Sequence, residues 1–382
     1  MLFERFLRKK TLMAALALTA AVPSVAKASM LSAAPTADGE NQKLKPGVYY
    51  IVNDKRQKGT DLHVFVDGKG TLHGQHYSSP STDFSDLFLL HAKDGRYTIQ
   101  SLKNAKYVQS VGQNNEVYKT ADDAYKFRIE YQTESSGTGK SYFNIYNSNA
   151  EDWCWHLDAQ KDIVRWYPLR DNGITALGPS EFRFDPVKTL TNEQVLARLA
   201  QLTKVVDPTK DLTKYYQIVS DTYGRAMRED FIVGELSTSG FNSSDYSYYW
   251  KLERLANGRY VFQNAVTGKY IVPQNGQTSR SYTTAEGKGT GFELQRNTDD
   301  PYVLAFEMVD ANNVGIHCAE SQGYHPVGWY THNEANKWVF KEATLDPAKL
   351  KEQQEAYKTR VDLTKNVDVY AEKVAKYFTN SA

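Results

Sequence analysis

The stretch 95-GRYTIQSLKNAKYVQS-110 returns in altered form as 258-GRYVFQNAVTGKYIVP-273, 163 residues later and without a gap. The pairs Trp166-Tyr167 and Trp329-Tyr330 recur at the same offset. Self-similarity at a fixed offset indicates repeated structural units. We therefore interpret the chain as an internal duplication.

Two further correspondences extend the repeat beyond these stretches. Phe182 matches Trp338 once a seven-residue loop of the first copy is left out, and the constant offset pairs Val164 with Val327. Tyr107 and Tyr270 are paired in the same way. The sequence thus predicts two domains in which these residues occupy equivalent positions.

Each copy contains a shorter repeat of about 45 residues. Similar strand openings stand at Tyr49, Tyr97 and Phe143 in the first copy, and near Tyr216, Tyr260 and Val303 in the second. Short alternating runs bounded by Gly, Asn, Asp and Ser are typical of hairpins in all-β folds. Three four-stranded units per copy predict a closed β-trefoil, so the fold class is two tandem β-trefoil domains.

Helical patterns interrupt and follow the two copies. Between the copies, 191-TNEQVLARLAQLTKVVDP-208 places Val195, Leu196, Leu199, Leu202 and Val206 on one stripe and opens with a capping box. After the second copy, Asp346-Pro347 begins a helix with Leu350, Tyr357 and Val361, followed by the stripe Val367, Tyr370, Val374 and Phe378. These helices either dock a partner or, as the more ordinary alternative, pack against the domains.

The N-terminus has the pattern of an export signal. Basic residues precede an apolar run from Leu12 to Val22, and Ala26-Lys27-Ala28 has the small-x-small form of a cleavage site. The predicted divisions are 1–28 signal peptide, 29–45 flexible segment, 46–187 first β-trefoil, 188–213 helical linker, 214–343 second β-trefoil and 344–382 C-terminal helices. The expected location is secreted or periplasmic.

Composition narrows the classes of partner. The 46 basic and 45 acidic residues nearly balance, which disfavours nucleic-acid binding, and membrane insertion is not expected. Two cysteines, Cys154 and Cys318, exclude a disulfide-dense scaffold. They form either a single bridge or two buried thiols.

The stretch 156-HLDAQKDIVRWYPLRDNG-173 resembles the sugar-binding stretch of ricin-type β-trefoil lectins, in which a hydrophobic-Asp-hydrophobic step precedes a strand ending in an aromatic residue. Asn336-Lys337-Trp338 stands where that family has Gln-x-Trp. The resemblance covers residues 46–187 and 214–343. It departs from the family in lacking the full Gln-x-Trp signature and the usual disulfides.

What the resemblance implies for the first copy is a sugar site. Asp158 would accept hydrogen bonds from two vicinal hydroxyls, Trp166 with Tyr167 would supply the stacking ring, and Asp171 or Asn172 a further polar contact. The alternatives are that Trp166 is a core residue and that Asp158 forms a turn.

In the second copy the aspartate is replaced by Cys318 or His317, which leaves Glu320 as the nearest carboxylate beside Trp329 and Tyr330. The first copy is therefore the stronger candidate if only one binds. As in the first copy, the alternative is that Trp329 belongs to the core.

The resemblance and the residues together favour a secreted, non-catalytic protein that binds glycans or glycoproteins. Neighbouring residues on a strand point to opposite faces, so His317 and Cys318 do not form a nucleophile–base pair. The segment 73-HGQH-76 offers two metal ligands without an evident third, so we expect no metal site. We also expect no catalytic residues and no cofactor. The alternative function is an exported protein-interaction or protease-inhibitor-like scaffold with a possible protein partner.

Overall fold

A computed structural model describes most of the chain from residue 43 onwards. The predicted signal peptide, most of segment 29–45 and Asn172 lie outside the described residues. The described ranges are 43–53, 61–76, 81–111, 117–133, 141–147, 153–158, 162–168, 170–171, 174–175, 178–230, 235–273, 281–296 and 299–379.

The first half of the described chain is built from antiparallel strands. They are β1 (Gly47–Asn53), β2 (Leu62–Val66), β3 (Leu72–His76), β4 (Phe88–Lys93), β5 (Arg96–Ser101), β6 (Tyr107–Val111), β7 (Val117–Ala121), β8 (Phe127–Thr133), β9 (Ser141–Asn147), β10 (Trp153–Leu157), β11 (Val164–Pro168), β12 (Arg170–Asp171), β13 (Ile174–Thr175) and β14 (Arg183–Pro186). Within the described residues, all but β12 and β13 form one 12-stranded sheet in the order β3-β2-β1-β4-β5-β6-β7-β11-β10-β9-β8, with β14 on β1. We call this sheet the first body.

The second half repeats the design after one helix. Its elements are α1 (Asn192–Thr203), β15 (Val205–Val206), β16 (Tyr215–Ser220), β17 (Ala226–Asp230), β18 (Glu235–Ser239), β19 (Tyr249–Arg254), β20 (Tyr260–Asn264), β21 (Tyr270–Pro273), β22 (Tyr282–Ala285), β23 (Glu293–Arg296), β24 (Ala305–Val309), β25 (Val314–Ala319), β26 (His325–Tyr330), β27 (Lys337–Ala343) and α2 (Pro347–Thr379). Short 3-10 helices lie at Pro208–Lys210, Tyr246–Tyr248, Glu320–Gln322 and Glu334–Asn336. In the described chain, β15 to β27 form a 13-stranded sheet, the second body.

The two bodies share a pairing pattern. Strand β1 pairs with β2, β4 and β14, and β16 pairs with β17, β19 and β27. Gln100 lies opposite Tyr107 in the first body, and Gln263 lies opposite Tyr270 in the second. The bodies are mostly β-strand, which confirms the all-β class.

Each body has its own aromatic core. Trp155, Phe127 and Phe182 are fully buried in the first, and Trp250 and Trp338 in the second. Since every residue of each core comes from one body, each sheet buries its own apolar face.

Polar contacts, one of them buried, connect the second body to the first body and to α1. His91 Nδ1 lies 2.9 Å from a carboxylate oxygen of Asp300, and both side chains are almost fully buried. The Tyr302 hydroxyl donates to Asn192 Oδ1 over 2.7 Å, and Lys93 forms an ion pair with Glu334. The His91–Asp300 and Lys93–Glu334 contacts join the two bodies directly, and the Tyr302–Asn192 bond joins the second body to α1.

Helix α1 begins and ends as the sequence predicts. Thr191 and Gln194 form the capping box, and Lys204 ends the helix in the left-handed conformation. Val195 and Leu199 are buried against residues of the first body, whereas Leu202 of the predicted stripe is 36% exposed. Strand β15 then pairs with β27, so this segment contacts both bodies.

Helix α2 is one continuous helix where the sequence indicated two stripes. Its proximal part packs on the second body through Leu350 and Tyr357, and Gln353 and Gln354 bond to backbone groups of that body. In the part of the chain that the structure describes, no helix combines the length and apolar content needed to span a membrane.

Cys154 and Cys318 are two free, buried thiols in different bodies. Burial raises the pKa of Cys154 to about 11, and burial also raises the pKa of Cys318. Because the thiolate is the reactive form, we expect neither thiol to react with Ellman's reagent at pH 8 in the folded protein. Both should react after unfolding in guanidinium chloride. Stoichiometric labelling of the folded protein would contradict this expectation.

Candidate functional site

The hairpin β10–β11 has a core face and an outer face. Trp155 lies opposite Trp166, and both pack on the first core. His156, opposite Arg165, belongs to the other face together with Tyr167. The outer face therefore collects the histidine and the tyrosine of this stretch.

His156 and Tyr167 form a stacked pair on that outer face. Their ring centroids are 4.5 Å apart at an interplanar angle of 25°, and Tyr167 is 39% exposed. The Nδ1 atom of His156 lies 3.0 Å from the hydroxyl of the buried Ser180. Ser180 thus fixes the imidazole from behind, while the tyrosine ring remains accessible to solvent.

The hairpin β25–β26 contains the same arrangement. The rings of His317 and Trp329 are 5.5 Å apart at 32°, and Trp329 is 45% exposed. His317 Nδ1 lies 2.8 Å from Oδ1 of Asn336, whose Nδ2 donates to the Tyr330 carbonyl over 2.8 Å. Because that amide bond orients Oδ1 towards the imidazole, His317 must donate from Nδ1. Its Nε2 is then an acceptor in the neutral ring.

Gly315 is required for this arrangement. A Cβ atom at Gly315 would lie 2.6 Å from Nδ2 of the fully buried Asn336. We expect Gly315→Ala to destabilise the second body by about 1–3 kcal/mol, because the crowded Asn336 must move in a packed interior. The control is Gly240→Ala, where a Cβ meets nothing within 4 Å. Denaturant unfolding measures both, and equal stabilities of the two variants would contradict the expectation.

The pairing register corrects the sequence alignment of the hairpins by one to two residues. Cys154 lies opposite Tyr146 on β9, and Gly315 takes the corresponding place opposite Val309 on β24. His156 therefore corresponds to His317, and Tyr167 to Trp329. The interpretation that Val164 matches Val327 is wrong, because Val164 lies opposite Leu157 whereas Val327 lies opposite His317. The loop before β25 is shorter than the loop before β10, which shifts the register.

The predicted residues of the first copy divide between two places. Asp158 lies at the loop end of β10–β11, where Arg165 Nη1 donates to its Oδ2 over 2.8 Å and its backbone closes the turn to Ile163. Trp166 packs with the core, which favours Tyr167 over Trp166 as the stacking ring.

The predicted residues of the second copy are also separated. Trp329 and Tyr330, the latter 77% exposed, lie at one end of β25–β26. Glu320 lies at the opposite end, where Tyr223 and Tyr324 donate to it over 3.4 Å each. The structure therefore does not bring Glu320 to the Trp329 ring.

A third histidine–aromatic pair lies on β2–β3. The rings of Phe65 and His73 are 5.5 Å apart at 31°, and His73 Nε2 lies 3.1 Å from Asp67 Oδ2. Among the described residues, no group of three or more His, Cys, Asp or Glu is placed to hold a metal ion. His73, His156 and His317 were missed as stacking-site residues, although each stands on a strand facing an aromatic or polar partner. His73 lies on the second strand of its hairpin, whereas His156 and His317 lie on the first strands of theirs.

Chemically, these outer faces offer a flat ring beside a hydrogen-bonding imidazole. A sugar presents C–H groups on one side and hydroxyls at its rim, so it can stack on the ring while a hydroxyl donates to Nε2. Compared with His156–Tyr167, the His317–Trp329 pair is better defined, because Asn336 fixes the tautomer of the imidazole.

Comparison with known proteins gave matches among solved structures alone. No family model and no curated protein matches the chain. A Macrolepiota procera ricin B-like lectin in complex with lactose is 14% identical to this chain. The match covers 38% of this chain and 99% of the lectin chain, with a TM-score of 0.30. A mosquitocidal holotoxin is 12% identical over 79% of this chain and 35% of its own, with a TM-score of 0.30. The hemolytic lectin CEL-III is 12% identical over 79% of this chain and 65% of its own, with a TM-score of 0.28.

The chain thus spans about a third of the length of the mosquitocidal toxin and about two thirds of CEL-III. The solved structures that the chain matches include a ricin B-like lectin and a hemolytic lectin, and the sequence-based resemblance names the same family.

Proposed function

We propose that this protein binds glycans without catalysis, through the pairs His156–Tyr167 and His317–Trp329. The observation that carries the proposal is the recurrence of one histidine and one exposed ring at the same register of two hairpins. Rings that serve only the core are buried, as Trp155 and Trp338 are. Exposed rings fixed beside a polar group are what stacking on a sugar requires.

The proposal includes the architecture. The two bodies are tandem β-trefoils that arose by duplication, with domains at 46–187 and 214–343, joined by the segment 188–213. Their matching pairing patterns support this interpretation. The proposal also includes export through a cleaved signal peptide, which N-terminal sequencing of the exported protein tests.

Glycan binding is favoured over a protein-interaction or inhibitor scaffold by the surface of the hairpins. Tyr167 is the exposed ring of one hairpin, and Trp329 and Tyr330, whose ring centroids are 6.1 Å apart, are the exposed rings of the other. A protein partner usually requires an interface of roughly 800 Å² on each side. Small separated platforms fit single sugar units better.

The test is a glycan-array screen of the protein, followed by calorimetry with the strongest soluble monovalent glycan. The double variant Tyr167→Ala/Trp329→Ala removes both rings and should weaken binding by about ten-fold or more, since each stacked aromatic contributes on the order of 1 kcal/mol or more. The matched control is Phe241→Ala, which removes a ring of similar exposure (43%) away from both hairpins. If the double variant binds as tightly as wild type, these two faces are not the sites.

A further inference from the structure

The distal part of α2, residues 361–376, leaves a row of large apolar side chains in solvent. Leu363 is 61% exposed, Val367 65%, Tyr370 72% and Val374 42%. Tyr357 is the most distal residue of the helix that belongs to the apolar cluster on the second body. An apolar row of this length on the surface is typical of an interaction site.

The spacing of the row fits a coiled coil. The steps from Leu363 to Val367, Tyr370 and Val374 are four, three and four residues, as at the a and d positions of a heptad. The positions beside the row carry Thr364, Asn366, Ala371 and Lys373. Charged residues lie mainly on the other side of the helix: Asp362, Lys365, Asp368, Glu372 and Lys376.

The balance of these charges bears on the choice of partner. Residues 361–376 contain three acidic and three basic side chains, so the helix has no excess positive charge. Helices that lie on anionic membranes usually carry a strongly basic polar face. A proteinaceous partner with the same heptad spacing fits this helix better.

We propose that the distal part of α2 pairs with the same segment of a second copy as an antiparallel coiled coil. In this arrangement Leu363 lies opposite Val374 of the other copy, and Val367 lies opposite Tyr370. Each pair of facing side chains then combines a larger with a smaller residue, which fills the interface between the two helices evenly. A parallel pair would instead set Tyr370 against Tyr370 and Val367 against Val367.

The charges beside the row are compatible with the antiparallel pair. Lys373 lies near Asn366 of the other copy and Thr364 near Ala371, so no like charges face each other across the seam. The two-fold axis passes between the levels of residues 368 and 369, about 17 Å along the helix from Tyr357 at 1.5 Å per residue. The Tyr357 residues of the two copies are then about 34 Å apart along the helix axis.

Sedimentation of the full chain over a range of concentrations tests the association. The wild type should be dimeric, and Val367→Lys/Tyr370→Lys should raise the dimer dissociation constant at least ~100-fold, because each charge is buried in the seam. The control is Val369→Lys, which changes a residue of similar exposure (51%) outside the row and should leave the dimer intact. A monomeric wild type at ~100 µM, or equal effects of the two changes, would overturn the proposal. If that monomer binds to lipid vesicles, the apolar row is a lipid-binding surface instead.

Disulfide cross-linking tests the orientation. The double variant Val367→Cys/Tyr370→Cys should give a covalent dimer under mild oxidation, whereas Val367→Cys alone should not. The native Cys154 and Cys318 are buried, so cross-linking of the wild-type chain gives the background level for this experiment. Efficient cross-linking by Val367→Cys alone would show a parallel pair and refute the antiparallel arrangement.

Discussion

Removing one ring, Tyr167→Ala or Trp329→Ala, is expected to lower the apparent affinity for a dense glycan surface by about 10²–10⁴. For a soluble monovalent glycan the same change should weaken one of the two sites by about ten-fold or more, so that the stoichiometry seen at the wild-type affinity falls from two to one. The difference arises because two linked sites share an effective concentration, and a chain with one site loses that advantage. Both proteins are compared in the Val367→Lys/Tyr370→Lys background, so that pairing of two copies through α2 does not supply a second site. Surface binding compared with calorimetry on the same variants measures both quantities.

The prediction rests on two sites that are carried by bodies in direct contact. The buried His91–Asp300 contact of 2.9 Å and the Lys93–Glu334 ion pair join the bodies. The control is again Phe241→Ala, which should change neither measurement. If a single-ring variant keeps both the surface affinity and a stoichiometry of two, the ring is not part of a site. If the wild type itself binds one monovalent glycan, the two-site proposal is wrong.

Trp338→Ala is expected to destabilise the protein by about 3–5 kcal/mol, as for other buried tryptophans replaced by alanine. Trp338 is fully buried, lies opposite Phe306, and its indole nitrogen donates to the Ile316 carbonyl over 2.8 Å. The substitution leaves both a cavity and a buried carbonyl without its donor, and the latter adds its own cost.

The matched change is Trp329→Ala, which we expect to cost less than about 1 kcal/mol because the ring is 45% exposed. The sequence-based alternative that Trp329 is a core residue is not supported by this exposure. Urea unfolding of both variants separates the two cases. Similar losses for Trp329→Ala and Trp338→Ala would mean that Trp329 is structural.

The large features of the fold follow from local sequence patterns. The capping box at Thr191 and Gln194 marks the start of α1 because it satisfies backbone donors with neighbouring residues. Gln100–Tyr107 and Gln263–Tyr270 pair alike because no insertion separates them. Such features depend on residues near one another in the chain.

The residues of the candidate site could not be predicted from the sequence, because they depend on the strand register of the two hairpins. Trp166-Tyr167 and Trp329-Tyr330 look alike, but the loop before each hairpin differs in length and the strand register differs with it. A shift of one residue in register exchanges the two faces of a strand, so the exposed ring became Tyr167 and not Trp166. Similarly, the contacts of His317 with Asn336 and of Asp158 with Arg165 could not be inferred without the register.

Asn336 holds the imidazole of His317 and stands two residues before the core residue Trp338, so site and interior share one short segment. A ligand that contacts His317 will therefore hold this segment in place and stabilise the folded state by mass action, by about 2.7 kcal/mol at a hundred times its dissociation constant. Sugars can then be ranked by how far they raise the unfolding temperature, before any of them is labelled or immobilised.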